Sequence, residues 1–480
     1  MASFKKTILS RGVLTVWVLV FGTIFILMLG SVLGSVLFQI KLHQNIKASN
    51  LAAQIAEAGI NYAKWHLAHS ETDYNFNGLY DYYDPEGSLV GKYQLTVIAP
   101  GGCSAGVTIK SVGWKQGVES QKRTLQIKYA KPALARYGFL THTNAWFGEN
   151  EELRGPFHSN GGIRMDGIQN SLSTSAKQTY TCGEENGCTN SSCKSPCLWK
   201  VGPKQCECPG IWGSGRGGLS GLWQYPVSNV DFDVITQDML TLKTMAQTSG
   251  IYIASSTTFG YHLIFKNNGS FDLYKVTALQ PQVQCSDGST WFWESNDILT
   301  QTFVRNYNFP ASCAPVFVED NVWVEGTISG RITVAVARLP DISGTNAKII
   351  IPNNILYANS SSSLGLMAQK DVIIPLYVPN DLKIQAVMLA QKGHVWRYHY
   401  PDYGYEPYRT YAKRHRIETY GSIISRDIWT FTWVNNAGNV LSGYAETSMN
   451  YNANLTFDPP PYFPVSGDFT TVKWEEIPSN

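Results

Sequence analysis

The sequence predicts an α+β protein, mostly β. It comprises a long N-terminal helix, a small antiparallel sheet, then an irregular right-handed parallel β-helix with a Cys-rich insertion. Three observations predict this. Residues 13–40 form an uncharged apolar run that continues without Pro, as an amphipathic pattern, to about Ser70. Residues 92–130 alternate apolar and polar side chains at the period of half-buried strands. From Val316, short β-rich runs recur at roughly 20 to 25 residues with no helical pattern between them. The expected domains are a cytoplasmic leader (1–12), the helix (13–70, transmembrane over 13–40), a turn plus sheet (71–130) and the β-helix (131–480). An insertion is expected at about 171–300, Cys-rich over 182–208.

Composition narrows the function. The chain has 480 residues, a formal charge of +2 and 15% charged residues, with 26 Tyr, 14 Trp and 42 Gly. That balance suits an extracellular β-rich surface protein. No basic patch points to nucleic acid, so no nucleic-acid partner is expected.

The helix comes first in the chain. At about 1.5 Å per residue, 13–40 crosses a hydrocarbon core of roughly 30 Å. It is too long for a signal-peptide core, and no small-residue cleavage site follows it. Lys5, Lys6 and Arg11 precede it, which puts the N-terminus in the cytoplasm and everything after Lys41 outside. Beyond it Ile46, Leu51, Ile55, Ile60 and Leu67 keep a helical spacing. One rod therefore begins in lipid and ends in water.

Arg11-Gly12 stands directly before the apolar run, and Ala56-Glu57-Ala58-Gly59 closes the amphipathic half. Over about the first 65 residues this resembles the N-terminus of PilX-type minor pilins and of the K-type minor pseudopilins of type II secretion. The resemblance implies cleavage after Gly12 by a peptidase, a new N-terminus at Val13, and packing against other pilin subunits through the helix. Most major pilins carry Glu as the fifth mature residue; here that place holds Trp17. Members at a filament tip often lack that Glu.

After the helix, Asp73, Asn75, Asn77, Gly78, Asp81 and Asp84 match positions of a twelve-residue calcium loop, with the Leu79 carbonyl as a further ligand. Structural calcium is the expected cofactor, clamping the helix to the sheet. Asp84 replaces the usual bidentate Glu, and no outgoing helix follows. The plainer reading is an Asx-rich turn. Lys131-Pro132 then marks a boundary. His158-Ser159-Asn160-Gly161-Gly162 suits a solenoid corner, because no third partner or strand–turn–helix context supports a serine nucleophile. The Gly-rich 213–218 has no preceding strand to make a phosphate cradle.

Nine Cys outside a membrane are expected as disulfides. The candidates are Cys182, Cys188, Cys193, Cys197, Cys206 and Cys208 in a cluster, with Cys285 and Cys313 as a later pair and Cys103 left over. Sequence cannot resolve the pairing within the cluster. Zinc is the rival reading, but there is no C-x2-C pair and no nearby His.

Residues 234–249 read as a helix stopped by Gly250, and three strands follow. In the repeat region, Leu366-Met367-Ala368-Gln369-Lys370 and Met388-Leu389-Ala390-Gln391-Lys392 are near-copies 22 residues apart. A β-sandwich is the alternative to stacked coils. His394, Trp396, Arg397, His399 and Tyr400 form a basic–aromatic group, a candidate surface-binding patch for a glycan or host-cell ligand, since ring faces stack on apolar sugar faces. Pro459 to Pro461 end strand pairing, so the tail is expected as a cap.

The functional expectation is a single-pass, pilin-like surface protein. It is a minor or tip subunit of a type IV pilus or related filament, displaying its β-rich part for adhesion or assembly. The alternatives are a permanently anchored β-solenoid adhesin and a polysaccharide-active β-helix enzyme using Glu325 or Asp371. No catalytic residue is expected.

Overall fold

The computed structural model describes residues 11–478, apart from 102, 104, 105, 150, 192, 203, 216–219, 343, 404, 405, 436 and 437. Lys5, Lys6 and part of the Gly-rich 213–218 lie outside the described residues. The chain forms two compact units. One takes residues up to Ala99, Thr108–Tyr129 and the residues from Lys473; the other takes Pro100–Val107 and Ala130–Val472.

In the first unit α1 (Arg11–His69) runs unbroken for 59 residues. Its second half buries Ala52, Ile55, Ala56, Ile60, Ala63 and Leu67, a stripe at helical spacing. The stripe packs on a five-stranded sheet ordered β1 (Gly78–Tyr83), β2 (Leu89–Ile98), β3 (Val107–Lys115), β4 (Arg123–Ala130) and Thr470–Ile477. β2 is antiparallel to both β1 and β3. Along β2, Tyr93, Leu95 and Val97 are buried while Gln94 and Thr96 face water, as the alternation predicts. Close approach requires small residues. A Cβ on Gly113 would overlap Ala52 O and Ala56 N, and one on Gly59 would overlap Ser111 Oγ. The Ala-Glu-Ala-Gly stretch is thus the seam where helix and sheet backbones meet. From the far end of the chain, Glu475 accepts from Gln126 Nε2 at 2.9 Å and Glu476 from Arg123 Nη2 at 2.6 Å.

The second unit is built on parallel pairing. The strand Ile251–Ile253 pairs with Val316–Val318, which pairs with residues 334–336, then 366–368, 388–390 and 423–425. The two near-copies stack in register, Leu366 beside Met388 and Ala368 beside Ala390. The ladder then jumps back in sequence. Residues 423–425 pair with Phe139–Thr141, followed by Phe157–Ser159, Ser173–Ser175 and Trp223–Gln224. Residues 139–224 therefore extend the ladder beyond its C-terminal strands, and the next strand in sequence, Ile251–Ile253, stands at the opposite end. α2 (Val234–Thr248) lies in the return connection.

Both faces of this ladder are covered. Val316, Val334, Leu366, Met388, Ile423 and Phe139 join the main core. Phe317, Ala335, Met367, Leu389, Ile424 and Leu140 join a second core with Ile235, Met239, Leu242 and Ala246 of α2. Burial on both sides explains why these strands read as continuous apolar runs. Leu455 and Phe463 join this second core, and Phe463 and Pro460 lie over Gly365, so the Pro-rich tail covers a side of the ladder and not its end, where a cap was expected.

Residues 171–300, expected as one insertion, are divided. Residues 173–175, 223–224 and 251–253 belong to the ladder, and 260–266 pairs in parallel with 322–326. The Cys-rich excursion is narrower. Thr179–Cys182, Gln205–Pro209 and Leu198–Lys200 make a small antiparallel sheet.

Candidate functional site

The first half of α1 carries the clearest functional signal. From Leu14 to Ile40 its apolar side chains are exposed, Leu27 by 73% and Phe25 by 66%. Exposed apolar surface on this scale marks a membrane or partner contact. Three of its hydroxyls are satisfied within the helix: Thr23, Ser31 and Ser35 donate to the carbonyls of Val20, Met28 and Val32 at 2.8 to 2.9 Å. Hydroxyls bonded in this way can enter hydrocarbon without an unmet donor. Trp17 is exposed and stacks on Phe21 at 5.6 Å. Gly12 and Val13 lie in the first turn of α1.

The calcium ligands do not converge. Asp73 Oδ2 lies 2.8 Å from His66 Nε2, and Asp73 Oδ1 accepts from the backbone N–H of Asn75 at 2.9 Å. These contacts, the Asn75 N–H foremost and His66 next, hold the Asp73 carboxyl below its ordinary range. Asn77 Oδ1 accepts from Val97 N. From Gly78 the chain is β1, in which Leu79 and Asp81 face water and Asp81 pairs with Lys92 at 3.0 Å. Asp84 caps the hairpin by accepting from Ser88 N at 2.7 Å. At about 3.3 Å per strand residue, Asp84 lies roughly 20 Å from Asn77, whereas one calcium ion needs its ligands at about 2.4 Å. The expected twelve-residue loop is not formed. Turn and helix end are joined instead by aromatic packing: Tyr62 on Tyr80 at 5.2 Å, Tyr80 on Tyr93 at 5.3 Å, His66 on Phe76 at 4.0 Å.

All but one of the cysteines are bonded. The cluster pairs as Cys182–Cys188, Cys193–Cys206 and Cys197–Cys208. Thiols so bonded offer nothing to zinc. The later pair expected from sequence is not made: Cys313 bonds Cys103, and Cys285 is free and buried. Cys285 sits in the antiparallel hairpin with Trp291–Glu294, among Val283, Trp323 and Tyr398. Nearness in sequence misled, because the fold carries Cys103 to Cys313 across 210 residues.

The expected surface patch is largely interior. Arg397 is fully buried and donates to the carbonyls of Pro375, Leu376 and Tyr411. Trp396 and Tyr400 are buried as well. His399, half-buried, stacks on Trp433 at 5.5 Å, and burial lowers its pKa. His394 lines a cleft. His158 reaches Thr174 Oγ1 at 2.8 Å and Asn160 Oδ1 at 2.9 Å. Ser159 Oγ donates to Thr143 O at 2.6 Å, so Ser159 and His158 do not pair. Glu325 faces His262 at 3.2 Å, and Asp371 accepts from His394 N at 2.8 Å; each acid has its own partners.

Sequence reading missed that cleft, of about 760 Å³, where Trp146, Trp429 and Trp433 meet Glu151, Glu185 and Asp427. Its residues come from separated stretches of chain, so no local motif marks it.

Among the described residues one helix, part of the first unit, is long and apolar enough to cross a membrane, and the rest of the chain is β-rich. No known family model matches the chain, and no curated protein is a significant match. Among solved structures, the competence-associated pilin ComZ from Thermus thermophilus is similar at 13% identity and a TM-score of 0.29, over 90% of this chain and 98% of that one. A superposition that loose carries no conclusion.

Proposed function

We propose that this is a pilin-like, single-pass membrane protein, a minor or tip subunit of a type IV pilus or related filament that displays its β-rich units for adhesion or assembly. One observation carries the reading. A single helix is apolar and uncovered over its first half, then packs a small-residue seam on an antiparallel sheet over its second. Such a rod can sit in lipid and later exchange lipid for the helices of neighbouring subunits, because both are apolar surroundings. Gly22, Gly30 and Gly34 leave open places on its surface for close helix contact. The basic residues before the run support a cytoplasmic N-terminus. Cleavage after Gly12, and a right-handed sense for the parallel winding, belong to the same reading. The reading is of a display protein, not an enzyme.

The test is twofold. N-terminal sequencing of the membrane-extracted protein should begin at Val13, and shearing of cells should release the protein with surface filaments. An intact N-terminus together with complete retention in the membrane would favour a permanently anchored surface adhesin and end the filament reading.

A further inference from the structure

The 760 Å³ cleft in the second unit is of a size for a small-molecule ligand. Its lining includes Trp429, which packs on Phe139 and Phe147 at 5.1 and 5.4 Å. Trp433 lines one side. Glu185 and Asn186 line another, on the loop that the Cys182–Cys188 disulfide closes.

Trp146 is the unusual member. It is 42% exposed, yet it is fixed. Its Nε1 donates to buried Asp166 Oδ2 at 3.0 Å, and the Arg164 guanidinium lies 4.8 Å from its ring. Arg164 Nε also donates to Asp166 at 2.7 Å, while Nη1 donates to Asn186 O and Gly187 O at 3.1 and 2.7 Å. One arginine thus holds both the aromatic platform and the disulfide-closed wall. Freezing an indole while leaving it wet costs side-chain entropy without the gain of burial. The arrangement makes sense if a ligand completes it.

The polar lining says which ligand. Glu151, Glu185 and Asp427 give the cleft an acidic character, with His394 lying 3.7 Å from Asp427. That disfavours an anion. Glu185 accepts from Asn186 Nδ2 at 3.0 Å and Glu151 from Gly148 N at 3.1 Å, single bonds that fix each carboxyl and leave further lone pairs to accept. Burial pushes the Glu151 carboxyl up to about 7, which weakens the case for a bound cation. Acceptors beside a fixed ring face suit a neutral ring with one apolar face and a rim of hydroxyl donors.

We propose that this cleft binds a neutral saccharide, with a sugar ring stacked on Trp146 and its hydroxyls donating to the carboxylates of Glu185 and Asp427. This deepens the adhesion part of the proposed function and stands apart from filament assembly: shearing tests the one and sugar binding the other.

The experiment uses the full chain in a detergent without a sugar headgroup. The probes are immobilised glucose-, galactose-, mannose- and N-acetylglucosamine-based oligosaccharides beside sialylated and sulfated counterparts. Neutral members should bind. Trp146→Ala should weaken binding about tenfold or more, Trp146→Phe should keep part of it, and Glu185→Ala should weaken it several-fold. Trp293→Ala, at an exposed residue outside the cleft, should change nothing. If Trp146→Ala does not fold, Trp146→Phe and Glu185→Ala decide. No binding to any neutral member, a preference for the acidic counterparts, or binding that the cleft variants leave unchanged overturns the proposal.

Discussion

Gly113 lies against Ala52 so closely that a Cβ there would overlap the Ala52 carbonyl oxygen. The obstacle is backbone, which cannot rotate away. Gly113→Ala should therefore push the sheet off α1 and destabilise the first unit by about 2 kcal/mol. Thermal melting of the full chain in detergent measures this. Gly101→Ala, where a Cβ meets nothing within 4 Å, is the matched control and should melt as the parent does.

Disulfide mapping on a non-reducing digest should recover a peptide joining Cys103 to Cys313. Removing both sulfurs with Cys103→Ser and Cys313→Ser should cost about 4 kcal/mol, because the loop released in the unfolded chain is long. Cys285 should resist alkylation in the native protein and take one label once unfolded. It is buried, and that burial pushes its thiol up to about 12, so almost no thiolate exists at neutral pH.

Glu151 should make stability fall as pH rises. Its carboxyl titrates near 7 in the folded chain against an ordinary 4.5, chiefly through burial. Between those values the folded state holds the proton more tightly than the unfolded state. Stability is therefore highest below about pH 4.5, is lost through the window, and is lowest above pH 7. Glu151→Gln should remove the slope, gaining at most about 3 kcal/mol at pH 8 and nothing at pH 4. Denaturant midpoints at the two pH values check it.

Calcium in excess should leave the melting temperature where a chelator leaves it, since Asn77 and Asp84 stand at opposite ends of β1. Asp73→Asn should lower it slightly by weakening the contact with His66. A calcium-dependent rise abolished by Asp73→Asn would restore the metal clamp.

Signals that repeat along the chain were legible in sequence. The apolar run 13–40 is uncovered helix, the alternation of 92–98 is a half-buried strand, and the near-copies at 366 and 388 stack in register. The calcium motif failed because Asp, Asn and Gly serve turns equally well, while the Leu and Tyr residues of 78–83 favour a strand. The basic–aromatic patch failed because composition does not say which side of a strand faces water. There Arg397 spends its donors on three interior carbonyls.

The long helix, its apolar first half, the sheet beside it and the β-rich remainder can be read along the chain. These follow from side-chain periodicity, which neighbouring residues set. Only in the folded chain do residues 139–224 join the ladder after residue 425, Cys103 meet Cys313, and Trp146 and Trp433 line one cleft. Each of these joins residues far apart in the chain, and such contacts depend on how whole faces are buried together, which no local pattern encodes.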